Sequence, residues 1–360
     1  MAIPLSVLDL VPIRSGGSAG ESLRRSVDLA RRAEELGYVR YWFAEHHGMP
    51  GIASSSPEIL IEHIASATSR IRVGSGGIML PNHAPLRIAE AFHTLETLHP
   101  GRIDFGVGRA PGTDPLTSRA MHPFNAEHFP QQLQEVLGLS GSSLPRDHPF
   151  HSVRVVPSGV RFPPVWVLGS SGASARFAGS LGVGYAFARH FSPSPPEPAV
   201  HAYLEGFTPS EMFPEPHVIL GVSVICAETA ERAEQLALST DLVWVRYQRG
   251  EFGLLPSPEG RARRPIAALH RHEGYRHGAD RRPGTRDVGN RGDRHDDDPR
   301  SSRAGAIVRT ARHSSAIRRP RSAVRSGCFD HVAASGDSKL IRTTAVKQEV
   351  QEFMSPQLTS

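Results

Sequence analysis

Residues 71–109 read IRVGSGGIMLPNHAPLRIAEAFHTLETLHPGRIDFGVGR and contain one strand–helix–strand unit. Ile71 to Leu80 is rich in β-branched and apolar residues and predicts a strand. A helix follows from about Pro85 to Leu98, Pro100-Gly101 turns the chain, and Ile103 to Val107 predicts the next strand. Two strands joined by a crossover helix are typical of parallel sheets.

The same alternation extends in both directions, from Ile3 to about Ala227, and gives seven strand–helix units. The predicted strands are Leu5 to Leu10, Val39 to Ala44, Ile71 to Leu80, Ile103 to Val107, Val165 to Leu168, Tyr185 to Ala188 and Val218 to Ala227. An eighth unit would be needed to close a barrel, and none is recognisable. We therefore predict an α/β fold of the (β/α)8 TIM-barrel type in which the eighth β/α unit is missing.

The residues after Gly260 have a different composition. Arg261 to Arg325 contains 18 arginines, no lysine and 7 acidic residues, with few apolar residues and no sustained helix or strand period. The net charge of +5 and the high pI therefore come from this region. We predict a barrel domain over residues 1–260 and a disordered, Arg-rich tail over residues 261–360.

A frameshift is a second interpretation of this tail. Arg294 to Arg300 can be encoded CGT CAC GAC GAT GAT CCA CGA, and a shift by one base gives Val-Thr-Thr-Met-Ile-His-Asp. That peptide has the composition of an apolar barrel strand. We hypothesise that a frameshift near Gly260 replaced the native C-terminus, with a naturally disordered basic tail as the alternative.

Composition narrows the class of protein. The two cysteines, Cys226 and Cys328, and the lack of a signal segment or an apolar run of about 20 residues indicate a cytoplasmic protein without a membrane partner. The arginines of the tail are not interleaved with aromatic residues, so we expect no nucleic-acid partner. The first strand, Ser6 to Leu10, carries no histidine ligand, so we expect no metal.

In such barrels the active site forms at the carboxyl ends of the strands. Glu45-His46-His47 follows the second strand and could serve acid–base chemistry, hydrogen-bond a ring system or ligate metal, or be a satisfied polar terminus. Gly74-Ser75-Gly76-Gly77 interrupts the third strand. Three glycines in four positions indicate a β-bulge, a strained peptide or the close approach of a flat ligand.

Two further motifs suit an anion. Gly106 to Gly112 includes Arg109, whose forked donors match a phosphate, although a surface ion pair is the alternative. Leu168 to Ser174 places hydroxyls and backbone N–H groups at a helix N-terminus, which is either an anion cradle or an ordinary serine N-cap. Because the two motifs follow neighbouring strands, Arg109 and the serines could hold one phosphate together.

Taken in chain order, four motifs closely resemble those of the bacterial luciferase-like monooxygenase family: Glu45-His46-His47, Val73 to Pro81, Gly101 to Arg109 and Gly169 to Ser174. The likeness covers roughly Pro4 to Gly260. It implies a (β/α)8 barrel that binds reduced FMN, or the deazaflavin F420 as in some branches of the family.

The resemblance also assigns roles to residues. His46 matches the histidine that supports the flavin hydroperoxide, and His47 is its neighbour; these two are the candidate catalytic residues. Gly76-Gly77 matches a non-proline cis peptide beside the flavin ring. The candidate cofactor-binding residues are Ser75, Gly76, Gly77, Arg109, Ser170, Ser171, Gly172 and Ser174. Gly108 stands where luciferase has a cysteine, so light emission is not implied.

The implied activity is oxygenation of an unidentified small organic substrate, with reduced FMN supplied by a separate flavin reductase. Family members often form dimers, so a homodimer is a further expectation. Two alternatives stay open: an F420- or flavin-dependent dehydrogenase on the same fold, and a non-catalytic relic whose barrel is not closed.

Overall fold

The computed structural model describes residues 3–121, 124–141, 144–257 and 343–347. Its strands are β1 (Ser6–Asp9), β2 (Arg40–Phe43), β3 (Arg72–Ser75), β4 (Ile78–Met79), β5 (Ile103–Gly108), β6 (Val165–Gly169), β7 (Gly184–Phe187), β8 (Val218–Val224) and β9 (Thr343–Lys347). Its α-helices are α1 (Ala19–Glu35), α2 (Pro57–Ala67), α3 (Pro85–Leu98), α4 (Pro115–Met121), α5 (Phe129–Ser140), α6 (Gly172–Ser180), α7 (Glu197–Glu205) and α8 (Ala230–Gln248).

The strands β1 to β8 form a parallel sheet that curves into a nearly closed barrel. Its hydrogen-bonded order is β3-β2-β1-β9-β8-β7-β6-β5-β4, and β3 also pairs with β5. The β3 and β4 strands are the two halves of the predicted third strand, so the parallel wall has seven positions. This architecture confirms the predicted TIM-type α/β class. None of the described helices combines the length and apolar character that a bilayer span requires.

The β9 strand occupies the place between β1 and β8. It runs antiparallel to both, with Ala345 paired to Val7 on one side and to Val222 on the other. Within the described ranges there is no eighth parallel strand, and residues 343–347 of the predicted tail form β9. Its β-branched residues suit a strand, and the unpaired edges of β1 and β8 offer it partners. The rest of the predicted tail lies outside the described residues.

Local signals account for several helix boundaries. Ser18 precedes α1, and its hydroxyl accepts from the Glu21 N–H at 3.2 Å, while the Glu21 carboxylate accepts from the Ser18 N–H at 3.0 Å. This reciprocal capping box is the one that the sequence predicts. Thr229 likewise caps α8, because its hydroxyl accepts from the Arg232 N–H.

Alternate residues of each strand face two separate cores. The larger core lies between the barrel wall and the helices and includes Tyr41, Phe43, Phe92, Phe105, Tyr185 and Tyr203. The smaller core fills the barrel itself with Leu8, Trp42, Ala44, Trp166, Ala186 and Ile219. The rings of Trp42 and Trp166 meet edge to face, with centroids 5.7 Å apart.

A buried ion cluster closes the barrel below these tryptophans. The Asp104 carboxylate is fully buried and accepts from Arg72 at 2.7 Å, from Arg40 at 3.1 Å and from the Trp42 indole N–H at 3.1 Å. A buried carboxylate with this many donors is satisfied by the protein itself. Among the described residues, the amino-terminal end of the barrel is therefore packed.

Candidate functional site

The predicted site residues lie at one end of the barrel, as their positions in the chain require. Glu45-His46-His47 follows β2, Gly76-Gly77 separates β3 from β4, and Arg109 is the first residue after β5. Ser170 to Ser174 begins directly after β6 and enters α6. Parallel strands bring their carboxyl ends to the same rim, so these four motifs surround the barrel mouth.

Small residues line the upper barrel. Gly76 faces inwards, because a Cβ placed there would lie 3.2 Å from the Trp42 Cβ. Along β2 and β5, the inward positions that follow Trp42 and Gly106 are Ala44 and Gly108. None of these three positions carries a side chain larger than a methyl group.

Glu45 is the central carboxylate of the mouth. Its side chain is almost fully buried, and one oxygen, Oε1, accepts from His47 Nε2 at 2.7 Å and from His83 Nε2 at 2.8 Å. The other oxygen accepts from the Met79 N–H at 2.9 Å. Burial alone would raise the pKa of this carboxyl, but the hydrogen bonds from both histidines and the charge of His83 lower its pKa to about 2. Glu45 is therefore ionised at neutral pH.

His83 is a site residue that the sequence analysis missed. It lies between a short 3-10 helix, Leu80–Asn82, and α3, and is 38 residues from Glu45 along the chain. Burial lowers the pKa of His83, but the hydrogen bond and charge of Glu45 and the charge of Glu58 outweigh burial, so its pKa is raised overall. His83 and Glu45 thus form a hydrogen-bonded pair inside the rim, in which each group shifts the pKa of the other towards its charged form.

His46 differs from its neighbours. Its backbone N–H donates to the Ser54 carbonyl at 2.9 Å. Its ring Nδ1 is buried and has no hydrogen-bond partner in the described part of the chain. Burial, with smaller contributions from the charges of His47 and His190, lowers the pKa of His46 to about 4 despite the charge of Glu45. The ring is therefore neutral at pH 7, and its buried Nδ1 lacks a hydrogen-bond partner among the described residues.

The glycine-rich motif breaks the third strand. The peptide bond between Gly76 and Gly77 is cis, as the family resemblance implies. A Cβ on Gly77 would lie 2.6 Å from the carbonyl carbon of Gly106, so the backbone of β5 itself demands glycine here. The Ser75 hydroxyl is buried and joins the two strands, donating to the Gly106 carbonyl at 2.6 Å and accepting from its N–H at 3.0 Å. That hydroxyl is engaged by the protein and does not face the mouth.

The two anion motifs follow adjacent strands. Val107 of β5 pairs with Val167 of β6, so Arg109 lies level with Gly169 in the parallel register. Ser171 is the N-cap of α6, with its hydroxyl accepting from the Ser174 N–H at 3.4 Å. No hydrogen bond or ion pair of the Arg109 guanidinium is found among the residues that the structure describes. Arg109 and the start of α6 are thus neighbours on the rim.

Tyr185 is a second residue that the sequence analysis left unassigned. It lies on β7, where its hydroxyl donates to the Ser171 carbonyl at 3.3 Å and lies 3.5 Å from Ser174 Oγ. The Ser174 hydroxyl in turn donates to the Ser171 carbonyl at 2.8 Å. Tyr185 therefore supports the first turn of α6 from inside the protein.

Comparison with known proteins decides the family. The model of the luciferase-like monooxygenases matches residues 3–317. The chain belongs to this family. The uncharacterized protein YvbT of Bacillus subtilis (strain 168) is 55% identical over 256 residues, which are 71% of this chain and 75% of the relative. The luciferase-like monooxygenase of Escherichia coli (strain K12) is 45% identical over 259 residues, 71% of this chain and 76% of the relative.

A relative with a named substrate and two solved structures extend this comparison. The N-acetyl-S-alkylcysteine monooxygenase of Bacillus subtilis (strain 168) is 37% identical over 255 residues, 69% of this chain and 75% of the relative. The crystal structure of apo-MsnO8 aligns with a TM-score of 0.66 at 37% identity and covers 72% of this chain and 77% of that one. The oxygenating constituent of 3,6-diketocamphane monooxygenase, in complex with FMN, aligns with a TM-score of 0.51 at 21% identity. The alignment covers 69% of this chain and 75% of that one and supports the fold.

The candidate site of this luciferase-like monooxygenase also includes residues that lie outside the four family motifs. His83, His190 and Tyr185 lie on three different elements and reach the motif residues only in the folded chain. Tyr185 lies on a predicted strand, and His83 and His190 lie in loops. No sequence spacing links any of the three residues to the motif residue that it approaches. Only the register of the parallel strands could have suggested Tyr185, because β7 is the neighbour of β6.

Proposed function

We propose that this protein is an FMN-dependent monooxygenase that uses reduced FMN and oxygen to oxygenate a small organic substrate. A separate flavin reductase would supply the reduced cofactor. The observation that carries the proposal is the placing of Arg109 level with the start of α6, on the same rim as the unpaired ring nitrogen of His46. Membership of the luciferase-like monooxygenase family supports it.

The residues of the mouth fit FMN in two ways. Arg109, the hydroxyls of Ser171 and Ser174 and the first N–H groups of α6 would hold the phosphate, as helix N-termini and arginine do elsewhere. The small residues above Trp42, which are Gly76, Ala44 and Gly108, would let the flat ring lie close to the backbone. Reduced FMN would supply the electrons that activate oxygen for transfer.

The protein's own side chains would orient and protect the reacting groups. His46 is neutral and can donate from one ring nitrogen and accept at the other, so it can hold a hydrogen bond to the cofactor or to oxygen bound beside it. Glu45 fixes His47 next to it. The packed tryptophan layer below keeps water out of the barrel floor.

Organic sulfides are the first substrates to test. The N-acetyl-S-alkylcysteine monooxygenase relative names a thioether as its substrate, and an oxygen atom transferred to a sulfide sulfur would be within the proposed chemistry. We propose this class for the screen, with aldehydes and ketones as comparison substrates.

The reaction is tested by loading the full chain with FMN and, in parallel, with F420. With FMN, a flavin reductase and NADH, we expect micromolar retention of the cofactor and oxygen consumption that rises when a substrate is added. Reduction of a substrate by F420 without oxygen consumption would instead establish the dehydrogenase alternative. Failure to retain either cofactor would identify the chain as a non-catalytic relic.

We also propose that a frameshift near Gly260 produced the basic tail. The abrupt change to arginine-rich composition and the shifted reading of Arg294 to Arg300 as an apolar strand support it. The three curated relatives named above match 255 to 259 residues, or 69% to 71% of this chain. Sequencing the locus tests the hypothesis: an intact single frame that encodes the same tail in close relatives would overturn it.

A further inference from the structure

The hydrogen bonds of Glu45 constrain the protons of two histidines. Its Oε1 atom lies 2.7 Å from His47 Nε2 and 2.8 Å from His83 Nε2. An ionised carboxylate can only accept, so both Nε2 atoms must carry hydrogen. For a neutral imidazole this fixes the tautomer and leaves Nδ1 as an acceptor, whereas an imidazolium donates from both nitrogens.

A nearby positive charge stabilises a buried negative charge such as that of Glu45. His83 lies in the field of two carboxylates, Glu45 and Glu58 of α2, with Arg87 of α3 as the opposing cation. His47 shares Glu45 and lies beside His46. The surroundings of the two rings therefore favour His83 as the holder of the balancing proton.

The position of His47 is fixed independently of its ring. Its N–H donates to the Gly112 carbonyl at 3.1 Å, and its carbonyl accepts from the Thr113 hydroxyl at 2.6 Å. Both partners belong to the loop after β5, which also carries Arg109. The His47 ring is thus held between that loop and Glu45. Its position is fixed, but its protonation state is not.

We propose that His83 is a positioning residue that acts through Glu45: it carries the proton that balances the carboxylate and so keeps His47 neutral, with hydrogen on Nε2 and an acceptor at Nδ1. A neutral His47 can take a proton from a reacting group, which an imidazolium cannot do. This role deepens the proposed function, because His47 is one of its candidate catalytic residues. The proton arrangement itself belongs to the protein without flavin.

The test uses the full chain, free of flavin and labelled with ¹⁵N-histidine, in long-range ¹H–¹⁵N correlation spectra from about pH 5 to about pH 9. In the wild type we expect the His47 Nδ1 signal of an unprotonated nitrogen at neutral pH. In His83→Phe and His83→Gln, His47 becomes the only histidine on Glu45, and its half-protonation moves up by about one pH unit. His201→Phe, on the exposed side of α7, makes the same change outside the site and should leave His47 unaltered.

Two results would overturn the proposal: a doubly protonated His47 in the wild type at neutral pH, or a His47 titration unchanged in the His83 variants. His83→Gln keeps a donor to Glu45 without the charge, so it covers the case in which His83→Phe does not fold. FMN binding is measured on the same samples. If the wild type fails to bind FMN but His47 responds as expected, only the proposed function is overturned. If the wild type binds FMN but His47 does not respond, only the role of His83 is overturned.

Discussion

Replacing Arg109 by methionine is expected to weaken FMN binding about 100-fold. Methionine keeps the length of the side chain but removes its forked donors and its charge. A charge-assisted, two-point contact with phosphate contributes about 3 kcal/mol, and each 1.4 kcal/mol is about a tenfold change in the dissociation constant. Titrating the full chain with FMN and following the quenching of flavin fluorescence measures the change.

Arg25→Met is the matched control, because Arg25 is exposed on α1 and belongs to none of the four motifs of the rim. Both variants are compared at one ionic strength, since salt weakens any contact between exposed charges. Equal FMN affinity in Arg109→Met and in the wild type would show that the guanidinium does not hold the phosphate.

Replacing Glu45 by glutamine is expected to remove a pH-dependent part of the protein's stability. The pKa of Glu45 is about 2 in the folded protein, against an ordinary value of 4.5. A lowered carboxyl pKa stabilises the folded state above the ordinary value, and that stability is lost as the pH falls from about 5 to about 2. At 1.36 kcal/mol per pH unit the contribution is about 3 kcal/mol.

His83 adds the opposite dependence at higher pH. Its pKa is raised above 6.5, so its pairing with Glu45 stabilises the fold below that value and is lost as the pH rises through the raised pKa. Glu45→Gln should therefore be less stable than the wild type near neutral pH and should lose less stability in acid. Urea unfolding at about pH 7, 5 and 3 measures the difference, with the exposed Glu205→Gln as control. If the free energy of unfolding of the wild type and of Glu45→Gln changed with pH in parallel, the lowered pKa of Glu45 would not contribute to stability.

Sequence patterns were sufficient for the barrel because its strands are apolar and its helices have clear boundaries. All seven predicted strands are present, and only the third is divided, at Gly76-Gly77. The division depends on the backbone of Gly106, which lies 30 residues away and approaches only in the folded sheet. β9 escaped prediction for the same reason, because five residues become a strand through their pairing with β1 and β8.

The candidate site was predictable where position along a strand determines position in space. His46, Arg109 and Ser171 each follow a strand end, and all three lie at the rim. The partners of Glu45 were not predictable, because His83 comes from the loop before α3 and reaches the carboxylate through tertiary packing. The Ser75 hydroxyl was not predictable either, because its partner Gly106 lies on β5 and is reached only in the folded sheet.

A comparison of FMN with riboflavin tests the binding of the flavin phosphate at this rim most directly, because the two ligands differ only by the phosphate group. Full-length protein is titrated with each flavin under identical conditions. If Arg109, Ser171 and Ser174 hold the phosphate, FMN should bind more than about 100-fold more tightly than riboflavin, and Arg109→Met should remove most of that advantage. Equal affinity for the two flavins in the wild type would contradict the assignment of this rim as an FMN site.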